Sequence, residues 1–120
     1  ALPSGLLAPP VLLLAGSATN LAASALGLPV ARLAEVCGRP VSADALRGAA
    51  AAIVSASVAE RLRLPGIEPG REVTIAAGAL LLMRLLDRAG ASEALIGDGG
   101  VCFGLAAELL ATQRAHAGLA

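Results

Sequence analysis

The stretch VLLLAGSATNLAASAL, residues 11–26, decides the fold of this 120-residue chain. It opens on Val11–Ala15, a continuous apolar run without alternation, which predicts a strand covered on both faces, as in a parallel sheet. Small and polar residues follow at 16–20 and predict a turn. Leu21–Leu26 then has the composition of a helix, and Gly27 marks its end. The stretch therefore predicts a unit of strand, small polar turn and helix.

The same pattern occurs a second time near the end of the chain. Ala94–Ile96 is a short apolar strand, Asp98–Gly100 is a glycine turn, and Val101–Gln113 is a helix. Strands that alternate with helices are typical of the α/β class with a parallel sheet. If the two strands are parallel neighbours, both turns lie at the carboxyl-end edge of the sheet, where the ligand sites of α/β proteins gather.

The segment between the two units predicts helices and one edge strand. Pro40 restricts a strand over Val36–Val41 to the edge of a sheet, because proline donates no ladder hydrogen bond. The other predicted elements are a helix over Ala43–Val54 capped by Ser42, a short helix opened by a capping box at Ser57–Glu60, and a long helix from Glu68-Pro69-Gly70 to Ala89 that ends at Gly90.

The interior of this long helix, Val73–Leu86, is apolar nearly all round, which predicts a helix sandwiched between two layers. Val73–Ile75 is also compatible with a strand. The chain length predicts a single domain over residues 1–120, with a frayed tail at 114–120. The predicted fold class is α/β, with few strands and many helices.

The composition excludes several classes of function. All nine basic residues are arginines and balance nine acidic ones, for a net charge of +0, which argues against binding nucleic acid by phosphate neutralisation. Phe103 is the single aromatic residue, so base-stacking platforms are excluded. Because the chain has no lysine, it carries neither a P-loop lysine nor a Schiff-base lysine.

Cysteine and histidine usage indicates a reducing compartment. Cys37, Cys102 and His116 are too few ligands for a structural zinc site. Lone cysteines in an apolar chain are typical of small buried hydrophobes, so we expect a cytoplasmic protein. The mean hydropathy is +0.79, but prolines interrupt the uncharged stretch 1–31, which has no basic flank of a signal peptide. We therefore expect no membrane partner.

The two turns supply the candidate binding residues. Glycines at a strand-to-helix turn let backbone N–H groups approach an anion at the helix N-terminus. Asp98 would repel a bare anion, so binding should improve when Mg²⁺ lies between them. The alternative is that the glycines serve only loop geometry and that Ser17 or Thr19 caps the helix. The predicted phosphate- or nucleotide-binding residues are Gly16, Ser17, Ala18, Thr19, Asp98, Gly99 and Gly100.

The sequence predicts no catalytic residue. Most carboxylates lie at helix starts or beside arginines, as they do at solvated helix ends. His116 lies in the predicted frayed tail, where nothing positions it for a catalytic triad. Neither cysteine has an activating base nearby in the sequence.

Three stretches together resemble the exopolyphosphatase and guanosine pentaphosphate phosphohydrolase family. LAGSATNLA at 14–22 is similar to the family's adenosine-type phosphate loop. A longer run of this chain resembles the most recognisable signature in the second half of the family's sequences. It consists of AER at 59–61, LPGI at 64–67, PGR at 69–71 and IAAGAL at 75–80. The family's spacing continues with SE at 92–93, GDGGV at 97–101 and GL at 104–105. The match covers about residues 11–110 in consistent order.

The resemblance implies the actin-like, sugar-kinase and heat-shock-chaperone fold, in which two ribonuclease-H-like lobes enclose a phosphate-binding cleft. It implies that this chain is only the back half of the second lobe, since the family's first-lobe phosphate loop, catalytic Glu and Asp-Gly-Gly-Gly-Ser loop have no counterpart in it. Family enzymes cleave a terminal phosphate from polyphosphate or guanosine pentaphosphate by water attack, with a divalent metal, so Mg²⁺ is the implied cofactor. The missing first lobe, or another copy of the chain, should cover the apolar face that half a lobe leaves open.

The sequence departs from the family pattern at four positions. Cys37 replaces a usual His, Val73 replaces an acidic residue, and Cys102 and Phe103 replace a basic–acidic pair. Each departure removes polarity from the presumed cleft. Two hypotheses follow: a phosphate-binding part of a phosphohydrolase that is inactive alone, or a non-catalytic binding or assembly domain of the same ancestry.

Overall fold

A three-stranded sheet organises residues 11–118, the part of the chain that this computed structural model describes. The strands are β1 (Val11–Leu14), β2 (Pro40–Ser42) and β3 (Glu93–Gly97), in the order β1–β3–β2. β1 and β3 are parallel neighbours, which is the condition under which the two predicted turns share one edge of the sheet. β2 pairs antiparallel to β3 and lies at the edge, which agrees with the prediction from Pro40. The protein is therefore mixed α/β.

Helices make up most of the remaining chain, and the local signals for their ends are confirmed. Gly27 and Gly90 end their helices in the left-handed conformation. The Ser42 hydroxyl accepts the Ala45 N–H at 3.1 Å, and Ser57 and Glu60 form the predicted capping box. The helices are α1 (Ala15–Leu26), α2 (Ala43–Ser55), α3 (Val58–Arg61), α4 (Ile75–Ala89) and α5 (Val101–His116), with a 3₁₀ segment at Val30–Val36.

Helix α4 begins at Ile75, so the prediction that it starts at Glu68-Pro69-Gly70 was wrong. Gly70 has a φ of +95°, which a right-handed helix does not admit. The Glu72 carboxylate also accepts the Gly70 N–H at 2.6 Å, which holds a turn at this point. Residues 62–74 therefore form a connection, and Val73–Ile75 is not a strand.

The helices cover one face of the sheet, and the predicted burial of both faces was wrong. Leu13, Ala94 and Ile96 are buried against α1, α2 and α4, whereas Leu12 and Leu14 are exposed on the opposite side. Parallel strands such as β1 and β3 are normally covered by helices on both faces. Here α5, the helix that follows β3, does not pack on the second face. The largest buried side chains of the core are Leu21, Leu46, Ile53, Ile67, Ile75, Leu86, Ile96 and Val36.

The prediction that Val73–Leu86 is sandwiched between two layers was also wrong. Ile75, Ala79, Met83 and Leu86 form one buried stripe of α4. Leu80 and Leu81, on the other side of the helix, are exposed. Spacings of three and four residues between the buried positions are those of a surface helix with one apolar face, and the second face has no layer over it within residues 11–118.

Helix α5 continues past Gln113 to His116, and every one of its residues is exposed. Of the tail predicted to be frayed, residues 114–120, the last two lie outside the described residues. Within residues 11–118, no helix combines the length and the apolar character needed to cross a bilayer.

Candidate functional site

The predicted turn residues Gly16, Ser17, Ala18 and Thr19 lie in the first turns of α1 and not in a loop before it. Strand β1 passes directly into the helix because Ala15 takes a φ of +71°. A left-handed conformation costs a residue with a Cβ roughly 1–2 kcal/mol, so this junction is strained. The separate polar turn predicted for residues 16–20 was therefore wrong.

The two hydroxyls of this segment do not cap the helix. The Thr19 hydroxyl donates to the Gly16 carbonyl oxygen at 3.1 Å, and no side chain caps the N-terminus of α1. Thr19 and Ala18 are buried, whereas Gly16 and Ser17 are half-buried. The first helical N–H groups have no intrahelical acceptor in an α-helix, so backbone donors are what this segment offers at the sheet edge.

The second predicted group, Asp98, Gly99 and Gly100, lies at the same edge. Leu14 is opposite Gly97 in the parallel pair, so the start of α1 and the loop after β3 leave the sheet side by side. A pocket of about 180 Å³ opens here, lined by Thr19, Leu33, Ala34, Cys37, Glu68 and Asp98. The structure thus brings one residue from each predicted group, Thr19 and Asp98, into one pocket.

A buried amide that the sequence analysis missed joins α1 to the 62–74 connection. Asn20 is fully buried. Its Oδ1 accepts the Glu68 N–H at 2.7 Å, and its Nδ2 donates to Glu68 Oε2 at 2.8 Å. The same carboxylate oxygen accepts Arg71 Nε at 3.0 Å. We call Asn20, Glu68 and Arg71 the Asn20 clip, because one buried side chain closes two hydrogen bonds across 48 positions of sequence.

The Asn20 clip places the Arg71 guanidinium against Gly16. A Cβ at position 16 would collide with the guanidinium carbon and both terminal nitrogens. The first turn of α1 reads Ala-Gly-Ser-Ala and carries no carboxylate. A cation and the positive end of a helix dipole therefore meet at one point, and glycine at position 16 is what permits this contact.

Two further glycines allow close approach to α1. Gly66, with a φ of +76°, lies so close to Ala23 that a Cβ would be 2.5 Å from the Ala23 Cβ and 2.9 Å from its carbonyl carbon. A Cβ on Gly78 would be 2.6 Å from the Ser17 Oγ. These glycines, like Gly16, Asn20 and Arg71, belong to the stretches that carry the family resemblance, so those stretches contact one another in three dimensions.

Two titratable groups in the pocket have shifted pKa values. The hydrogen bond from Asn20, followed by that from Arg71, lowers the pKa of Glu68 against the opposing effect of burial. Burial, and next the negative charge of Asp98, raises the pKa of the Cys37 thiol. Near neutral pH Glu68 is therefore a carboxylate and Cys37 a neutral thiol. Such a thiol is a poor nucleophile and a poor metal ligand.

The donor set fits Mg²⁺ only as part of a phosphate complex. Within residues 11–118, no group of three or more His, Cys, Asp or Glu side chains is arranged to hold a metal ion. Glu68 is engaged by Asn20 and Arg71, which leaves Asp98 as the exposed carboxylate of the pocket. Mg²⁺ is commonly bound by one or two carboxylates, with phosphate oxygens and waters completing its shell, so Asp98 would be its protein ligand.

The four departures from the family pattern are scattered. Cys37 lines the pocket, but Val73 is exposed in the connection before α4, and Cys102 and Phe103 are exposed on α5. His116 ends α5, is exposed and does not line the pocket. Only Cys37 can therefore affect a ligand in the pocket directly.

Comparison of the chain with protein-family models and with curated protein sequences gave no significant match.

Proposed function

We propose that this chain is the phosphate-binding part of a phosphohydrolase that acts on polyphosphate or guanosine pentaphosphate. The observation that carries the proposal is the contact between the Arg71 guanidinium and Gly16 at the N-terminus of α1. Free N–H groups at a helix start and a guanidinium are both typical ligands of phosphate oxygens. The mutual contacts of the resembling stretches support the same family and a partial ribonuclease-H-like lobe.

In this proposal each element at the sheet edge has one task. The N–H groups of the first turn of α1 and the free guanidinium nitrogens of Arg71 bind phosphate oxygens, while Glu68 and Asn20 hold Arg71 in place. Asp98 lines the pocket at the same edge of the sheet and would hold Mg²⁺, which would neutralise charge on the phosphate when bound. Water attack needs a general base and an opposing phosphate loop, which the resemblance assigns to the missing first lobe.

Phosphate titration tests the binding step. In ¹⁵N-labelled protein, pyrophosphate with Mg²⁺ should shift the amide resonances of Gly16, Ser17 and Ala18 and of the loop at 98–100. Arg71→Gln should weaken this binding at least tenfold, because a charge-assisted hydrogen bond contributes about 1.5–3 kcal/mol. Arg84→Gln removes an exposed arginine of α4 and should leave the affinity unchanged. Shifts confined to other residues, or equal affinities of the two variants, would contradict the proposed site.

Gly16→Ala separates binding from stability. The new Cβ should displace the flexible end of Arg71 and weaken pyrophosphate binding as Arg71→Gln does. Alanine is about 1 kcal/mol better than glycine inside a helix, which offsets the lost contact, so the free energy of unfolding should change little. The measurements are the same titration and urea unfolding of both proteins. Binding at the wild-type affinity would show that Arg71 takes no part.

The isolated chain should not hydrolyse polyphosphate or guanosine pentaphosphate. Phosphoryl transfer depends on in-line positioning and on charge stabilisation from both sides of the phosphate, and the chain supplies one side. In a sensitive assay of phosphate release, the wild type and Asp98→Asn should both give the rate that is measured without protein. Release that rises with protein concentration and falls in Asp98→Asn would contradict this expectation.

A second candidate function is a non-catalytic binding or assembly domain of the same ancestry. The observation that favours it is the apolar, fully exposed α5, where Cys102 and Phe103 stand in place of polar family residues. The discriminating observation is the natural reading frame upstream of Ala1. An Asp-x-Gly-Ser loop and an Asp-Gly-Gly-Gly-Ser loop there would favour the phosphohydrolase. In either case we propose a reducing, cytoplasmic location, which the free thiols of Cys37 and Cys102 support.

A further inference from the structure

Helix α5 presents apolar side chains to solvent on nearly all sides. Val101 is 90% exposed and Phe103 is 73% exposed, and Leu105, Leu109 and Leu110 are each more than half exposed. The first eleven residues of the helix contain Glu108 as their single charged side chain. A helix that is apolar all round is normally buried. Helix α5 has the composition of such a buried helix, yet no other element of residues 11–118 buries it.

Within residues 11–118, the outer face of the sheet is the second apolar surface with no layer over it. Leu12, Leu14 and Leu95 point away from the helical layer and are 41–56% exposed. Parallel strands are normally covered on both faces, and the helix that follows a strand is what usually covers them. Here the helix that follows β3 leaves the outer face open.

We propose that two copies of this chain exchange their α5 helices, each helix packing on the outer face of the partner's sheet. The helix has 16 residues and is therefore about 24 Å long. It extends away from the body, and the described structure measures 55 Å in its longest direction against 34 and 23 Å in the others. An arm that projects this far meets a second molecule, and reciprocal exchange covers both surfaces in both copies.

The area and the charges fit such an exchange. Val101, Leu105 and Leu109 share one side of the arm, and with the three side chains of the outer face they expose about 600 Å² per chain. Reciprocal exchange would therefore bury about 1,200 Å² in total, at the lower end of the range for stable interfaces. The last turn of α5 carries Arg114 and His116. The outer face carries Glu93, which makes no ion pair within residues 11–118. The basic end of the arm thus has an acidic edge to pair with.

Cross-linking tests the exchange. In a background with Cys37→Ser and Cys102→Ser, the pair Leu95→Cys and Leu109→Cys is treated with a bifunctional maleimide whose span matches the roughly 10 Å between packed layers. We expect a covalent dimer on a denaturing gel. A cross-linked monomer would mean that α5 folds back on its own sheet, and no cross-link would mean that something else covers the face; both outcomes overturn the proposal.

A matched pair of cysteines controls for another docking place. An apolar groove of about 410 Å³ lies between α2 and α4 and is lined by Val54, Leu80 and Met83, among others. The pair Leu80→Cys and Leu109→Cys should give far less covalent dimer than the pair at 95 and 109. More dimer from the groove pair would place the arm in the groove and overturn the exchange on the sheet.

Sedimentation gives a readout without cross-linker. The wild-type chain should sediment at twice its mass of 11.7 kDa. Leu109→Glu should lower the dimer affinity at least tenfold and yield monomer, whereas Leu81→Glu, at an exposed position of α4, should leave the dimer intact. A monomeric wild type at high concentration, or equal behaviour of the two variants, overturns the proposal.

Discussion

Gly66→Ala should lower the free energy of unfolding by about 3 kcal/mol, one of the largest effects of any single substitution in this chain. Two physical causes add. A left-handed φ costs alanine roughly 1–2 kcal/mol, and Gly66 has a φ of +76°. The new Cβ would also lie within 3 Å of the Ala23 and Ser24 backbone, which cannot move as a flexible side chain does, and overpacking of this kind costs about 1–3 kcal/mol.

Gly38→Ala is the matched control, because Gly38 has a nearly equal φ of +77° and nothing within 4 Å of an added Cβ. Urea unfolding should therefore give a loss of about 1–2 kcal/mol for this variant and a distinctly larger one for Gly66→Ala. Equal losses would show that α1 yields to the added methyl group and that the contact at Ala23 is not tightly packed.

Asn20→Asp should be the most damaging isosteric substitution. It replaces the donor amide by a second carboxylate beside Glu68 Oε2, at a position with no exposure to solvent. An uncompensated buried charge of this kind costs about 3–5 kcal/mol. The expected result at pH 7 is a protein that is largely unfolded or unfolds at very low urea concentration.

The pH dependence of that variant should be opposite to that of the wild type. In the wild type the pKa of Glu68 is lowered in the folded state, so its contribution is present at neutral pH and is lost as the pH falls below about 4. In Asn20→Asp the two carboxylates favour a shared proton, which raises the folded pKa of the pair. Its stability should therefore rise as the pH falls from 7 to 5.

Asn20→Ser is the control without added charge. It removes both hydrogen bonds of the Asn20 side chain but introduces no carboxylate, so it should be destabilised without the gain in stability between pH 7 and pH 5 that is expected for Asn20→Asp. If Asn20→Asp lost stability on acidification from pH 7 to 5, the assigned contact between residue 20 and the Glu68 carboxylate would be wrong.

The elements that sequence analysis predicted correctly are those that local chemistry determines. Each of these signals acts within four residues of its own position. They are the hydroxyl of Ser42, the capping box at Ser57–Glu60 and the left-handed glycines at 27 and 90. Pro40 excludes a central strand whatever surrounds it. Such signals need no knowledge of the rest of the molecule.

The errors occur where a distant contact or a backbone angle decides the outcome. The start of α4 depends on the left-handed Gly70 and on its hydrogen bond with Glu72, and Pro69 alone indicated a helix start. The apolar pattern of Val73–Leu86 is compatible with one buried face or with two. Only the arrangement of neighbouring layers distinguishes them, and that arrangement is not encoded within the segment.

The sequence predicted that the two turns could meet at one edge of the sheet, but it did not predict the contacts around Asn20. Parallel pairing of β1 with β3 brings Gly16 and Asp98 to one edge, as the repeated pattern indicated. The clip formed by Asn20, Glu68 and Arg71 spans about half the chain, and no spacing rule predicts a contact at that distance. One signal in the sequence points to this contact: a lone asparagine at the start of an apolar helix must find a hydrogen-bond partner when it is buried.

The parallel pairing of β1 with β3 has a consequence for how the protein folds. Val11 pairs with Ala94, so this contact closes a loop of about 80 residues and costs more chain entropy than any helix contact. Contacts between residues so far apart slow folding. During synthesis, Val11–Leu14 emerges well before β3, and it stays apolar and unpaired until β3 has left the ribosome. Until then this segment is an unpaired apolar strand of the kind that aggregates or is bound by chaperones.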